Sequence, residues 1–163
     1  MKLATILVPL DGSPLAEAAL PKAREMAELS GARLLLLRAA QAHNLPGVDP
    51  TNAQVKVVQE AEEYLARVGD RLAAQGFKQV ECSVWYGSAP YAIVEAARLY
   101  KADLIVMTTH GRSGLGRLIL GSVAESVLRG TTTPIFLLRA PEAPVQVPAG
   151  KGEAVARQKV GRS

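Results

Sequence analysis

Five short apolar segments alternate with stretches of helical periodicity along most of the chain. The apolar segments are Thr5 to Leu10, Arg33 to Ala40, Lys78 to Tyr86, Asp103 to Met107 and Pro134 to Arg139. In the second segment Leu34 to Leu37 are apolar without alternation, as expected of a strand that is covered on both faces. The resulting βαβαβαβαβ order predicts one α/β domain, with a parallel sheet, helices on both faces and right-handed crossovers.

Apolar residues recur every three or four positions in the four intervening stretches, which predicts four helices. These run from Pro14 to Gly31, from Thr51 or Asn52 to Gly76, from Gly87 to near Lys101, and from Gly121 to near Gly130. Ser13 is a favourable N-cap for the first helix, and Pro14 suits its first helical position. The stretch Gln41 to Thr51 lacks periodicity, so we expect a loop there.

The segment from Thr108 to Ser122 follows the fourth predicted strand and contains four glycines. Glycine lets a ligand approach the main chain closely, and the free N–H groups of a first helical turn attract phosphate. Arg112 and Arg117 add positive charge, and Ser122 adds a hydroxyl donor. The alternative is a loop in which the glycines only turn the chain. Neither GxxxxGK[ST] nor GxGxxG occurs, which excludes those two phosphate loops.

The sequence Thr-His-Gly-Arg-Ser-Gly at 109–114, followed by Gly121-Ser122-Val123-Ala124-Glu125, resembles the C-terminal signature of the universal stress protein family. The resemblance covers Leu3 to about Arg139. The nucleotide-binding branch of that family carries G-x2-G-x9-G-[ST]. Gly111 and Gly121-Ser122 match this pattern, whereas Thr108 replaces its first glycine.

The resemblance implies a three-layer, Rossmann-like α/β/α fold with strand order 3-2-1-4-5. Ligands of open α/β sheets bind at the carboxyl ends of the strands where the winding direction reverses. In this order those strands are the first and the fourth, so Asp11 and the segment from Thr108 to Gly111 are expected to converge on one pocket.

The same resemblance implies ATP as the ligand, with any Mg²⁺ carried by the phosphates. Its implied nucleotide-binding residues are Pro9 near the adenine, the backbone of Ala39 at the adenine edge, Asp11 on the ribose hydroxyls, Thr108 beside the ribose, and Gly111, Gly121, Ser122 and Val123 at the phosphates. Arg112 joins this set on grounds of charge, because arginine neutralises phosphate; a solvated side chain or a contact to another subunit is its alternative. Asp11 also fits a ribose on chemical grounds, because a carboxylate accepts two hydroxyl hydrogen bonds. A turn or capping role before Ser13 is its alternative.

Two functions remain open at Thr108. If its backbone keeps the position of the family's glycine, the chain is an ATP-binding stress-response regulator without efficient catalysis. If its side chain fills the gap, the chain is a homodimeric interaction protein of the same fold that binds no nucleotide. His110 follows a strand end, where a histidine can act as a general base. No nucleophile is paired with it in the sequence, so no catalytic residue is predicted.

The last predicted strand would lie at the edge of the sheet and is strongly apolar. An uncovered apolar edge invites pairing with another chain, and the family resemblance places a dimer interface on this strand. We therefore expect a homodimer through Thr133 to Arg139.

Length, composition and charge narrow the possible domain organisation and the kinds of partner. With 163 residues, 48% of them hydrophobic, the chain suits one domain, assigned to residues 1–140. Residues 141–163 are rich in Pro, Gly and basic side chains, and we expect them to be disordered or loosely attached. That end of the chain carries half of the net charge of +4, but no basic stripe with interleaved aromatics predicts specific nucleic-acid binding.

The remaining sequence features predict a cytoplasmic protein without a metal site. No apolar run approaches the roughly 20 residues of a membrane span. The only cysteine, Cys82, alternates with Val80 and Val84, and we expect a buried, inert thiol. A single cysteine cannot form an internal disulfide, which accords with a reducing compartment. No cluster of His, Cys, Asp and Glu has the spacing of metal ligands.

Overall fold

The computed structural model describes residues 2–42, 46–47, 49–109, 120–139, 145 and 147–152. Its parallel sheet has five strands in the order β3-β2-β1-β4-β5, which confirms the expected fold class. The strands are β1 (Thr5–Pro9), β2 (Arg33–Ala40), β3 (Val80–Tyr86), β4 (Leu104–Thr108) and β5 (Ile135–Leu138). The helices are α1 (Pro14–Glu17), α2 (Leu20–Ser30), α3 (Pro50–Ala74), α4 (Ala89–Leu99) and α5 (Ser122–Gly130).

The first predicted helix is two helices in the structure, so the prediction of one continuous helix is wrong. Pro21 has no backbone N–H, and a continuous helix would require one to donate to the carbonyl of Glu17. The chain tightens instead, with the N–H of Ala19 donating to the carbonyl of Ala16 at 3.2 Å. The predicted end at Gly31 holds, because its φ of 72° closes α2 in a left-handed conformation.

The N-cap of α1 was predicted correctly, whereas the N-cap of α3 was not. Ser13 caps α1, and its hydroxyl accepts the N–H of Ala16 at 3.1 Å. Asp49 rather than Thr51 or Asn52 caps α3, because its carboxylate reaches the N–H of Thr51 at 2.8 Å. The predicted start of α3 was therefore slightly late.

The core consists of two apolar layers, one on each face of the sheet. Alternate strand residues supply the two layers, as the period of a β-strand requires. The face under α1, α2 and α3 receives Ile6, Val8, Leu34, Leu36, Leu104 and Val106. The face under α4 and α5 receives Leu7, Leu35, Leu37, Ile105 and Met107. We call these the α3 face and the α5 face of the sheet.

The edge strand β3 corrects the expectation for Cys82, which is exposed rather than buried. Its thiol nevertheless lies 3.6 Å from the carbonyl oxygen of Leu65 in α3. Partial desolvation there, with a smaller effect of Asp70, raises the pKa of the Cys82 thiol. The protonated form of this thiol is therefore favoured.

Two further sequence predictions concern the absence of a membrane span and the loose attachment of the C-terminal stretch. No described helix is long and apolar enough to cross a membrane. In the C-terminal stretch, Val145 and residues 147–152 are exposed and lie outside helices and strands. The loose attachment of that stretch stays a prediction.

Candidate functional site

A cavity of about 220 Å³ opens at the carboxyl ends of β1, β2 and β4. β1 and β4 are direct neighbours, with Ile6 paired to Leu104 and Leu7 to Ile105. From these two strands the chain winds outward in opposite directions, to β2 on one side and to β5 on the other. The cavity thus occupies the position at which open α/β sheets bind their ligands.

The structure brings together every predicted site residue that it describes. Pro9, Asp11, Ala39, Thr108, Gly121, Ser122 and Val123 all line this cavity. The other two, Gly111 and Arg112, lie outside the described residues, as does His110. Their part in the site stays a prediction.

Sequence reasoning missed about half of the lining. The additional lining residues are Leu10, Ala16, Leu37, Ala89, Ile93, Met107 and Ala124, whereas Thr109, which also lines the cavity, belongs to a segment that was expected there. The alternation of β-strands was a usable signal for Leu37, because it lies two positions before Ala39 on the same face of β2. No sequence signal pointed to Ile93, which reaches the cavity only because α4 packs over β2.

The cavity has an apolar part and a polar part. The apolar part lies on the α5 face of the sheet, where Leu37, Ile93 and Met107 are 1%, 2% and 6% exposed. The polar part is formed by Asp11, Thr108 and Ser122. Such a cavity suits a ligand with a flat apolar ring at one end and hydroxyl or anionic groups at the other.

Asp11 lies in the turn between β1 and α1, which we call the β1–α1 turn. Its Oδ1 accepts the backbone N–H of Ser13 at 2.8 Å, which is an Asx turn. The turn role that the sequence left open for Asp11 is therefore present. It does not exclude ligand binding, because an ionised carboxylate has about four acceptor sites on its two oxygens.

The amino end of α5 forms another wall of the polar part. Gly121 is the N-cap of this helix, and its own N–H donates to the carbonyl of Thr109 at 2.8 Å. The first N–H groups of an α-helix have no acceptor within that helix and carry its positive dipole end. Because Gly121, Ser122 and Val123 line the cavity, this wall suits an anion.

Thr108 ends β4 and is 6% exposed. Val106 packs into the α3 face and Met107 into the α5 face. Strand alternation therefore directs the Thr108 side chain towards the α3 face, on the opposite side of the sheet from Met107. It borders the polar part of the cavity, whereas the apolar part lies on the other face.

The described part of the chain contains no group of three or more His, Cys, Asp or Glu side chains that could hold a metal ion.

A doubly wound parallel sheet with order 3-2-1-4-5 and a cavity at its reversal point defines a Rossmann-like α/β protein. Residues 3–139 match the sequence model of the universal stress protein family. The chain belongs to this family, which confirms the resemblance seen in the sequence.

Individual relatives agree with this assignment. A universal stress protein of Thermus aquaticus is 34% identical over 137 residues, which cover 83% of this chain and 98% of the relative. A solved universal stress protein in complex with cAMP is 25% identical, with a TM-score of 0.67, and the match covers 86% of this chain and 99% of that one. The universal stress protein of Archaeoglobus fulgidus in complex with dAMP, at 24% identity, shares the fold with a TM-score of 0.63, and the match covers 84% and 98% of the two chains.

Proposed function

We propose that this chain binds an adenine nucleotide, ATP, in the cavity at the ends of β1 and β4, and that this binding makes it a stress-responsive regulator. The observation that carries the proposal is the meeting of three features at one cavity. These are the carboxylate of Asp11, the amino end of α5 and the apolar part beside Leu37 and Met107.

Each part of the nucleotide has a counterpart in this arrangement. Adenine fits the apolar part, beside Pro9 and the backbone of Ala39. The ribose hydroxyls donate to the Asp11 carboxylate, which is an acceptor only. The phosphates meet the amino end of α5 at Gly121, Ser122 and Val123, and any Mg²⁺ is carried by them and keeps mostly water ligands.

The cAMP-bound relative supports an adenine nucleotide as the ligand class, because it shares the family and the fold. The direction of the Thr108 side chain supports the same conclusion for this chain. A side chain on the α3 face leaves the β4 backbone facing the cavity, where the family's glycine would present its own. We propose binding itself, without efficient hydrolysis, as the molecular function.

A second candidate function is an interaction protein that binds no nucleotide and acts as a homodimer. It is favoured by the replacement of the motif glycine by Thr108, since a buried threonine adds bulk beside the ribose position. We propose in either case that the edge strand β5, within Thr133 to Arg139, forms the dimer interface. Phe136 in that strand is 37% exposed.

Thermal unfolding with and without millimolar Mg-ATP, Mg-ADP, AMP and GTP tests the proposed function. A ligand at 100 times its dissociation constant stabilises a protein by about 2.7 kcal/mol, which raises the melting temperature measurably. We expect the adenine nucleotides to produce such a shift and Asp11→Ala to reduce it.

Asp49→Ala is the matched control for this experiment. Asp49 makes the same turn hydrogen bond as Asp11, to the N–H two residues on at 2.8 Å, but does not line the cavity. It should lower the melting temperature without removing the nucleotide shift. If no nucleotide shifts the wild type, the interaction protein becomes the better account.

A further inference from the structure

The guanidinium group of Arg38 lies directly against the β1–α1 turn. A Cβ atom added at Gly12 would lie 3.1 Å from Nη1, 3.3 Å from Nη2 and 3.4 Å from Cζ of Arg38. Gly12 also has a φ of +85°, which favours glycine. Gly12 therefore lets the guanidinium approach the main chain next to Asp11 more closely than a larger residue would.

Arg38 is held from its other side by α3. Its Cζ lies 4.7 Å from the centre of the Tyr64 ring, within the range of a cation–π interaction. The Tyr64 hydroxyl donates to Oε1 of Glu17 at 2.8 Å, and Arg71 donates to Oε2 of Glu17 at 2.6 Å. Burial and the bond to Glu17 raise the pKa of Tyr64 well above its usual value, which keeps this hydroxyl a donor.

The result is a continuous stack that joins α3 to the turn. Its order is Tyr64, Arg38 and then the main chain at Gly12, with Glu17 of α1 fixing the Tyr64 hydroxyl. Arg38 reaches the turn because it precedes Ala39 on β2, and neighbouring strand residues point to opposite faces. Among the described residues, Arg38 does not line the cavity, and it meets this side of the site at the turn.

We propose that Arg38 is a positioning residue that holds the β1–α1 turn so that the Asp11 carboxylate meets the cis hydroxyls of a ribose. This inference rests on the proposed function. It deepens that function by assigning the site a preference for a sugar that carries ribose hydroxyls over a dideoxyribose, and by placing the origin of that preference behind the cavity wall.

The distinguishing measurement is the affinity ratio between Mg-ATP and Mg-2′,3′-dideoxy-ATP. One well-placed hydrogen bond to a charged group gives a ratio of about tenfold or more. A variant that only disturbs the structure of the site would weaken the binding of both nucleotides equally and leave this ratio unchanged. A variant that displaces the Asp11 carboxylate weakens only the binding of Mg-ATP, the ligand that carries the hydroxyls.

The experiment measures both dissociation constants by calorimetry for the wild type, Asp11→Ala, Arg38→Gln and the double variant. We expect each single variant to bring the ratio close to one and the double variant to add nothing, because the two residues act on the same hydroxyls. Arg33→Gln is the control, since Arg33 is also on β2 but pairs with Glu81 at the opposite end of the sheet, at 2.6 Å.

Arg38→Lys is the second variant and carries the test if Arg38→Gln fails to fold. Lysine keeps the charge but has no planar group to stack between Tyr64 and the turn. The affinity ratio between the two nucleotides should therefore also fall in Arg38→Lys. A wild-type ratio in the folded Arg38 variants would overturn this inference alone. Absence of any nucleotide binding by the wild type would overturn the proposed function and this inference together.

Discussion

The Oδ2 atom of Asp103 accepts the backbone N–H of Ala4 at 2.8 Å, although the two residues are 99 positions apart. The same oxygen accepts the N–H of Thr5 at 3.0 Å, and the N–H of Asp103 donates to the carbonyl of Thr5 at 2.9 Å. These bonds fix the beginning of β1 beside the beginning of β4. The site depends on this pairing, because the other ends of the same two strands carry Asp11 and Thr108.

The two hydrogen bonds to the main chain hold the pKa of Asp103 below its usual value. A group whose pKa is lower in the folded state contributes stability above its unfolded pKa, near 3.9 for aspartate. That contribution is lost as the pH falls through the folded pKa. We therefore expect the Asp103 contribution to be complete at pH 7, to decrease as the pH falls below about 4, and to be lost below the folded pKa.

Urea unfolding of the wild type and Asp103→Asn between pH 7 and pH 2.5 measures this effect. Asparagine keeps one acceptor oxygen but does not titrate, so the stability difference should be largest at neutral pH and should shrink in acid. Losing a charged hydrogen-bond acceptor costs about 1.5–3 kcal/mol when buried, and we expect less at this partly exposed site. A difference that is constant with pH would show that the carboxylate charge is irrelevant to these bonds.

Gly12→Ala should weaken both the fold and nucleotide binding. An alanine in the left-handed region costs about 1–2 kcal/mol, and its Cβ would lie 3.1 Å from Nη1 of Arg38. Gly76→Ala is the matched control, since Gly76 has a φ of +93° but nothing within 4 Å of the added Cβ. Urea unfolding should show a loss for both variants, and ATP titration a loss of affinity for Gly12→Ala only. Equal ATP affinities in the two variants would exclude a role of this close contact in binding.

The strand order was predictable because a regular βα alternation leaves few arrangements once the family resemblance is recognised. Helix limits were less predictable where one side chain decides the outcome. Pro21 divides the first helix by lacking one N–H, and Asp49 caps α3 before the first residue that the periodicity suggested. The exposure of Cys82 follows from the edge position of β3, which residue alternation does not reveal.

The polar part of the site was predictable because it lies where strands end in recognisable turn and capping residues. Asp11 and Gly121 are of this kind. Ile93 and Arg38 carried no such signal, since their positions depend on how α4 and α3 pack over β2. Arg38 becomes informative only when the ring of Tyr64 is known to lie beside it.

Thr108→Gly should change ATP affinity little, within about threefold, which is less than 0.7 kcal/mol. The reason is that strand alternation directs the Thr108 side chain to the α3 face, which leaves the β4 backbone facing the cavity, and glycine presents the same backbone. The variant should nevertheless be less stable by about 1 kcal/mol or more, because glycine in a strand loses packing and gains unfolded-state entropy.

Calorimetric titration of Thr108→Gly and Thr108→Ser measures the affinity change. Thr108→Ser keeps the hydroxyl and removes only the methyl group, so it separates bulk from hydrogen bonding. Binding by Thr108→Gly but not by the wild type would identify Thr108 as the obstacle. That result would support the interaction protein as the present function of the chain.

Phe136→Glu should convert the proposed homodimer into a monomer. Phe136 is the exposed side chain of β5, whereas Ile135 and Leu137 pack against the apolar layer under α4 and α5. A charge at Leu137 would therefore also disturb the core, and a charge at Phe136 avoids that effect. In a two-fold pairing of β5, which has only four residues, the two copies of residue 136 lie near the axis, so like charges repel.

Sedimentation of Phe136→Glu, Phe136→Lys and their mixture tests this interface. Each variant alone should be monomeric, and the mixture should recover the dimer because opposite charges then face each other. Leu29→Glu is the control, since Leu29 is 83% exposed on α2 and places the same charge away from β5. If Phe136→Glu sediments as a dimer, β5 is not the interface. If the mixture is monomeric as well as each single variant, the dimer was lost because the apolar contact of Phe136 is missing, and not because like charges repel across the axis.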